Sequence, residues 1–95
     1  MKTTANKTYS NYNKVMSIKS SKRNFDYIVL VKVGKFYEAY EEDADQLSGI
    51  LGVGQYRKAG CLLNVAGFGE DLLSDNLSKL MKAGRKVGIL DETRK

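Results

Sequence analysis

The sequence predicts an α/β fold of the α+β type: one mixed β-sheet flanked by helices. Three observations lead there. The run Ile28–Val33 is almost wholly apolar and rich in β-branched residues, the composition of a strand covered on both faces. Two stripes at helical spacing, Ala44, Leu47, Ile50, Leu51 and then Leu73, Leu77, Leu80, Met81, alternate with strand-like runs. The chain has only 95 residues, enough for one domain with a small core that must draw on all of these segments.

Residues 1–8 are small, polar and basic, and read as disordered. From Tyr9 a weak helical pattern brings Tyr12, Val15, Met16 and Lys19 toward one face, until Ser20, Ser21 and Asn24 break it. After the first strand, Gly34 offers the freedom for a turn or bulge. Residues 35–40 read as a second strand, with Phe36, Glu38 and Tyr40 on one face and Lys35, Tyr37 and Ala39 on the other. Glu41, Glu42, Asp43 and Asp45 mark a helix start, where acids favour the positive end of the dipole. Gly49 and Gly52 loosen and end that helix. Residues 52–60 form a glycine-punctuated loop or ragged hairpin carrying Arg57 and Lys58. Residues 61–65 are expected as a strand and residues 66–69 as a turn. Asp71, Ser74 and Asp75 offer caps and N-terminal acids to the next helix, and Gly84 suits the position beyond its end. Residues 86–90 are expected as the closing strand, with a polar tail, DETRK, behind it. The expected core is Ile28, Leu30, Val31, Leu47, Ile50, Leu63, Val65, Leu73, Leu77, Leu80, Val87 and Ile89.

Charge divides the chain at residue 24. Residues 1–24 hold six basic side chains and no acid, a basic arm with a short helix; residues 25–95, the folded domain, hold ten basic and eleven acidic ones. Such an arm attracts polyanions without reading sequence, or serves as a solvated leader. Cys61 is the only cysteine, so no internal disulfide forms, and a reducing cytoplasmic compartment fits. Histidine, the usual general base and metal ligand, does not occur. No apolar run reaches the ~18 residues of a membrane span, and the N-terminus has no apolar segment of a secretory signal.

The chemistry concentrates at Gly34-Lys35-Phe36-Tyr37-Glu38. A strand phenylalanine ordinarily enters the core. An exposed one at a rigid strand end can instead wedge between base steps, recovering roughly 1–3 kcal/mol of stacking on a base. Glu38 beside a polyanion needs a specific partner, such as a base amino or imino group; otherwise it is a surface acid on an edge strand. The acids from Glu41 to Asp45, taken with Glu38, could be imagined as a metal cluster, but at helical spacing they are better read as a helix start. Cys61, within an apolar run and without a histidine to activate it, reads as a small buried hydrophobe rather than a nucleophile.

The string IVLVKVGKFYEAYEEDADQL resembles the first, mismatch-recognising domain of the MutS DNA-repair family. Further likenesses follow in order: Asn64-Val65-Ala66-Gly67-Phe68 to the family's Ala-Gly turn, residues 77–84 to its next helix and glycine stop, and residues 86–92 to its closing strand. The resemblance implies the same compact mixed sheet, a Phe36 that wedges into the stack and a Glu38 that bonds the disturbed base. Lys35, where bacterial members commonly have an acid, is similar to the eukaryotic mismatch-recognising subunits. It suits a phosphate or groove contact, with Arg57, Lys58 and the basic arm as further phosphate holders. The chain departs from the family in having no proline at its Ala66-Gly67-Phe68-Gly69 turn.

No GxxxxGK[ST] phosphate loop occurs, and the chain stops where the family's connector domain is expected to begin. The expectation is therefore a free-standing, non-enzymatic DNA-binding module with no cofactor and no metal. It should bind mismatched or distorted duplex weakly, and associate with the nucleoid if bacterial. Two other classes stand beside it: a protein-interaction module of the same fold that modulates a DNA-repair or mobile-element partner, and a small nuclease.

Overall fold

The computed structural model describes residues 4–20 and 26–91. In chain order the elements are α1 (Thr4–Lys19), β1 (Ile28–Val33), β2 (Phe36–Tyr40), α2 (Glu42–Leu51), β3 (Gln55–Tyr56), β4 (Val65–Gly69), a 3₁₀ turn (Glu70–Leu72), α3 (Leu73–Lys82) and β5 (Val87–Leu90). The strands form one mixed sheet in the order β3-β4-β2-β1-β5. Among the described residues only β1 and β5 pair in parallel; the other three pairs are antiparallel.

Strand alternation sends the two faces of β1 into separate apolar layers. Ile28 and Leu30 join Tyr37, Ala39, Leu47, Ala66, Phe68 and Leu80, packing α2 and α3 on one side. Val29 and Val31 join Tyr40 and Val65 beneath Val15 of α1 on the other. The middle of β1 is thus buried on both faces, which is why its sequence runs apolar without alternation.

Five expectations change. Helix α1 begins at Thr4, so residues 4–8 are helical and not disordered. Its polar residues are tied to the body: Thr8 and Asn11 are buried, and the Tyr9 hydroxyl accepts the Leu62 N–H at 3.0 Å. Such contacts override a weak helical pattern. The fourth strand lies at Val65–Gly69, so residues 61–65 are mostly loop and the glycine-rich stretch taken for a turn is strand. Gly67 is required there by close approach, because a Cβ would sit 2.5 Å from the Tyr37 carbonyl oxygen. Ile89 is 45% exposed rather than core, since β5 is an edge strand, and Ile50, Leu73, Leu77 and Val87 only flank the core. Asp43 is not a solvated helix-start acid. It is buried and ion-paired with Lys19 of α1 at 2.5 Å, while its other oxygen accepts the Val29 N–H at 3.2 Å. Glu41, ahead of α2, takes φ 53° and makes no side-chain cap. It exchanges bonds with Asn64 instead: its own N–H donates to the Asn64 carbonyl and its carboxylate accepts the Asn64 N–H, both at 2.9 Å. The expected helix breakers Ser21 and Asn24, and the polar tail 92–95, lie outside the described residues.

Candidate functional site

The hairpin between β1 and β2 positions the site. Val33 pairs with Phe36, so only Gly34 and Lys35 form the turn. Of the two turn residues only Gly34 has positive φ, at 60°, the pattern of a type II′ turn with glycine at its first central position. The Lys35 carbonyl accepts the Glu70 N–H at 2.8 Å, fastening the tip to the segment after β4. Lys32 supports the tip from behind through an ion pair with Glu70 at 3.0 Å, with its ammonium 5.5 Å from the Tyr37 ring centroid. The Glu70 carboxylate holds the Lys32 pKa above its ordinary value.

Phe36 opens β2 and stands 57% exposed, while the four residues after it are buried. Its neighbour across β4 is Gly69, which offers no side chain to cover the ring. Lys35 is exposed beside it. Lys7 of α1 lines a groove with Lys32, Val33 and Gly34, so the basic N-terminal segment brings a cation to the hairpin.

Glu38 shares the Phe36 face of β2, about 7 Å further along by strand rise. It is buried, at 4% exposure, and its carboxylate is occupied. Lys58 grips both oxygens, at 2.8 Å to Oε1 and 2.7 Å to Oε2. The Tyr40 hydroxyl donates to Oε1 at 3.0 Å and the Tyr56 hydroxyl approaches Oε2 at 3.5 Å. Asn11 of α1 completes the chain, its Nδ2 donating to the Tyr40 oxygen at 3.4 Å. Burial, and then the Glu38 carboxylate, push both tyrosine pKa values up, that of Tyr40 far above the ordinary tyrosine range. Gly67 lies opposite Glu38 on β4, and a Cβ there would come within 3.5 Å of the Glu38 Cγ.

The expected site residues therefore sort into two groups. Lys35 and Phe36 face solvent at the hairpin, whereas Glu38 and Lys58 are joined in an ion pair under Tyr56. Arg57 is exposed, its Nε donating to the Asn64 side chain at 3.2 Å. Asn11 and Tyr56 were not legible as site residues, because only folding brings Tyr56 and Lys58 to the Glu38 carboxylate and Asn11 to the Tyr40 hydroxyl; Tyr40 was legible only as sharing the Glu38 face. Among the described residues no cluster of three or more His, Cys, Asp or Glu side chains is placed to hold a metal ion. Nor is any described helix long and apolar enough to cross a membrane. Cys61 is a buried free thiol.

A family model for MutS domain I matches residues 11–95. Among curated proteins, the chain is 43% identical over 70 residues to the DNA mismatch repair protein MutS of Parabacteroides distasonis and 41% identical to that of Porphyromonas gingivalis. It is 39% identical over 67 residues to that of Thermotoga petrophila. Each match covers 70% of this chain and 8% of the relative, so the chain spans only a small part of the proteins it matches.

Proposed function

Since the chain belongs to the MutS domain I family, we propose that it is a non-enzymatic module that binds mismatched or distorted duplex DNA weakly, with Phe36 as the probe of stacking. The observation that supports this most is the exposed Phe36 ring on a fastened two-residue turn, beside the exposed Lys35. A benzyl group held in water costs burial energy, and a domain this small has little apolar area to spare. Mismatched steps unstack more cheaply than paired ones, so a wedge gains most where pairing has failed.

Glu38 enters second. In the free protein its oxygens belong to Lys58, so a phosphate would compete with the carboxylate for that ammonium. A phosphate drawn to Lys58 would release Glu38 toward the disturbed base, with Tyr40 still donating to one oxygen. The pair sits under β3, a strand of two residues and the least anchored part of the sheet. Lys35, Arg57 and the basic N-terminal segment take phosphates. A lone free thiol fits a reducing, cytoplasmic setting.

Fluorescence anisotropy with matched, mismatched and single-stranded oligonucleotides tests the proposal. Affinity should fall near the nonspecific range, about 10⁻⁴ to 10⁻⁶ M, with a preference for the mismatch. Phe36→Ala should make matched and mismatched duplex equal. Equal affinities in the unmutated protein would defeat the wedge reading.

A further inference from the structure

On the proposed reading that Glu38 meets the disturbed base, we infer that Asn11 and Tyr40 are its positioning residues. They form a hydrogen-bond relay from α1 that keeps the carboxylate aimed when Lys58 is drawn to a phosphate. Strand and helix periods build this relay. Glu38 and Tyr40 stand two residues apart on β2, so their side chains leave the same face of the sheet. β2 is the middle strand of the order β3-β4-β2-β1-β5, paired with β4 along its whole length and with β1 from Phe36 to Glu38. Helix α1 covers that face, with Val15 in the apolar layer that holds Tyr40. Asn11 lies one helical turn before Val15, on the same stripe of α1, so the packing that buries Val15 also delivers Asn11. Its Nδ2 donates to the Tyr40 oxygen at 3.4 Å, and the Tyr40 hydroxyl donates to Glu38 Oε1 at 3.0 Å. All three side chains are buried.

The chemistry gives the relay a direction. A phenol hydroxyl has one proton and turns about its C–O bond. With the Asn11 N–H set against the oxygen, that proton is directed to Glu38, and each bond polarises the next. Burial, and then the Glu38 carboxylate, keep the proton on Tyr40 well beyond the ordinary tyrosine range. The remaining donors are held differently. Tyr56 belongs to β3, a strand of two residues, and Lys58 follows it. A buried carboxylate that loses its cation and every donor is strongly destabilised. Tyr40 and Asn11 owe nothing to β3, so they stay when Lys58 moves. Oε1 then remains anchored, and Oε2, which Lys58 held at 2.7 Å, becomes the oxygen open to a base N–H.

A double-mutant cycle on the dissociation constant of mismatched duplex tests this. Tyr40→Phe, which deletes the hydroxyl and keeps the ring, should weaken that binding about fivefold, the net effect of one hydrogen bond. Added to Glu38→Ala it should change the affinity no further, because Tyr40 acts through the carboxylate. A purely structural residue would weaken binding in both backgrounds. Asn11→Ala, which leaves Tyr40 in place, should follow the same pattern in the same direction. An affinity unmoved by Tyr40→Phe and Asn11→Ala, or weakened equally with and without Glu38, would overturn the inference and leave the Phe36 wedge standing, since Phe36→Ala judges that separately. Equal affinity for matched and mismatched duplex in the unmutated protein would bring down the wedge and the relay together.

Discussion

Phe36 and Glu38 lie two residues apart on one face of β2, yet only the ring is open to solvent. Their shared face was legible from strand alternation. The closure of Glu38 was not, because it depends on Tyr56 of β3 and on Lys58 just after it, far along the chain. Two residue-scale outcomes follow. Gly67→Ala forces a methyl group against the Tyr37 carbonyl and should cost roughly 1–3 kcal/mol in urea unfolding, as overpacking does. The raised Tyr40 pKa means the folded state keeps a proton that the unfolded chain gives up near pH 10. Its contribution to stability is complete below about pH 10 and drains away as pH rises toward the folded value. Urea midpoints should thus fall between about pH 10 and 11, and Tyr40→Phe should flatten that fall.

At the scale of elements, the apolar strands and the stripes of α2 and α3 could be read directly, since period and composition agree along their length. Strand β4 could not. Its glycines look like a turn until the approach of the β2 backbone shows why side chains are excluded. Helix α1 was underestimated for a related reason: its hold on the sheet runs through Val15 and through the Lys19–Asp43 pair, which sequence patterning hid among four helix-start acids. Asp43→Ala leaves Lys19 unpaired and the Val29 N–H without its carboxylate acceptor. It should lower stability by about 3 kcal/mol, the order found when one member of a buried pair is removed, with an early loss of α1 amide protection in hydrogen exchange.

For the whole molecule, the excess of positive charge lies in residues 1–24, and the structure brings one of those cations, Lys7, to the hairpin groove. Lys7 thus lies beside the hairpin that carries Phe36, which composition alone could not establish. Binding should weaken with salt, and each cation that meets a phosphate adds about 0.9 to the slope of log K against log salt. Lys35→Ala should reduce that slope by about 0.9 on matched and mismatched duplex alike, whereas Phe36→Ala should leave it unchanged.

The central claim is that one ring enters the base stack at a flaw. A duplex carrying 2-aminopurine next to a mismatch reports this directly, because the base brightens when it unstacks. Saturating protein should raise its fluorescence at the mismatch and not in the matched duplex, and Phe36→Ala should abolish the rise while DNA is still bound. A saturated complex whose emission stays that of stacked DNA would contradict the account.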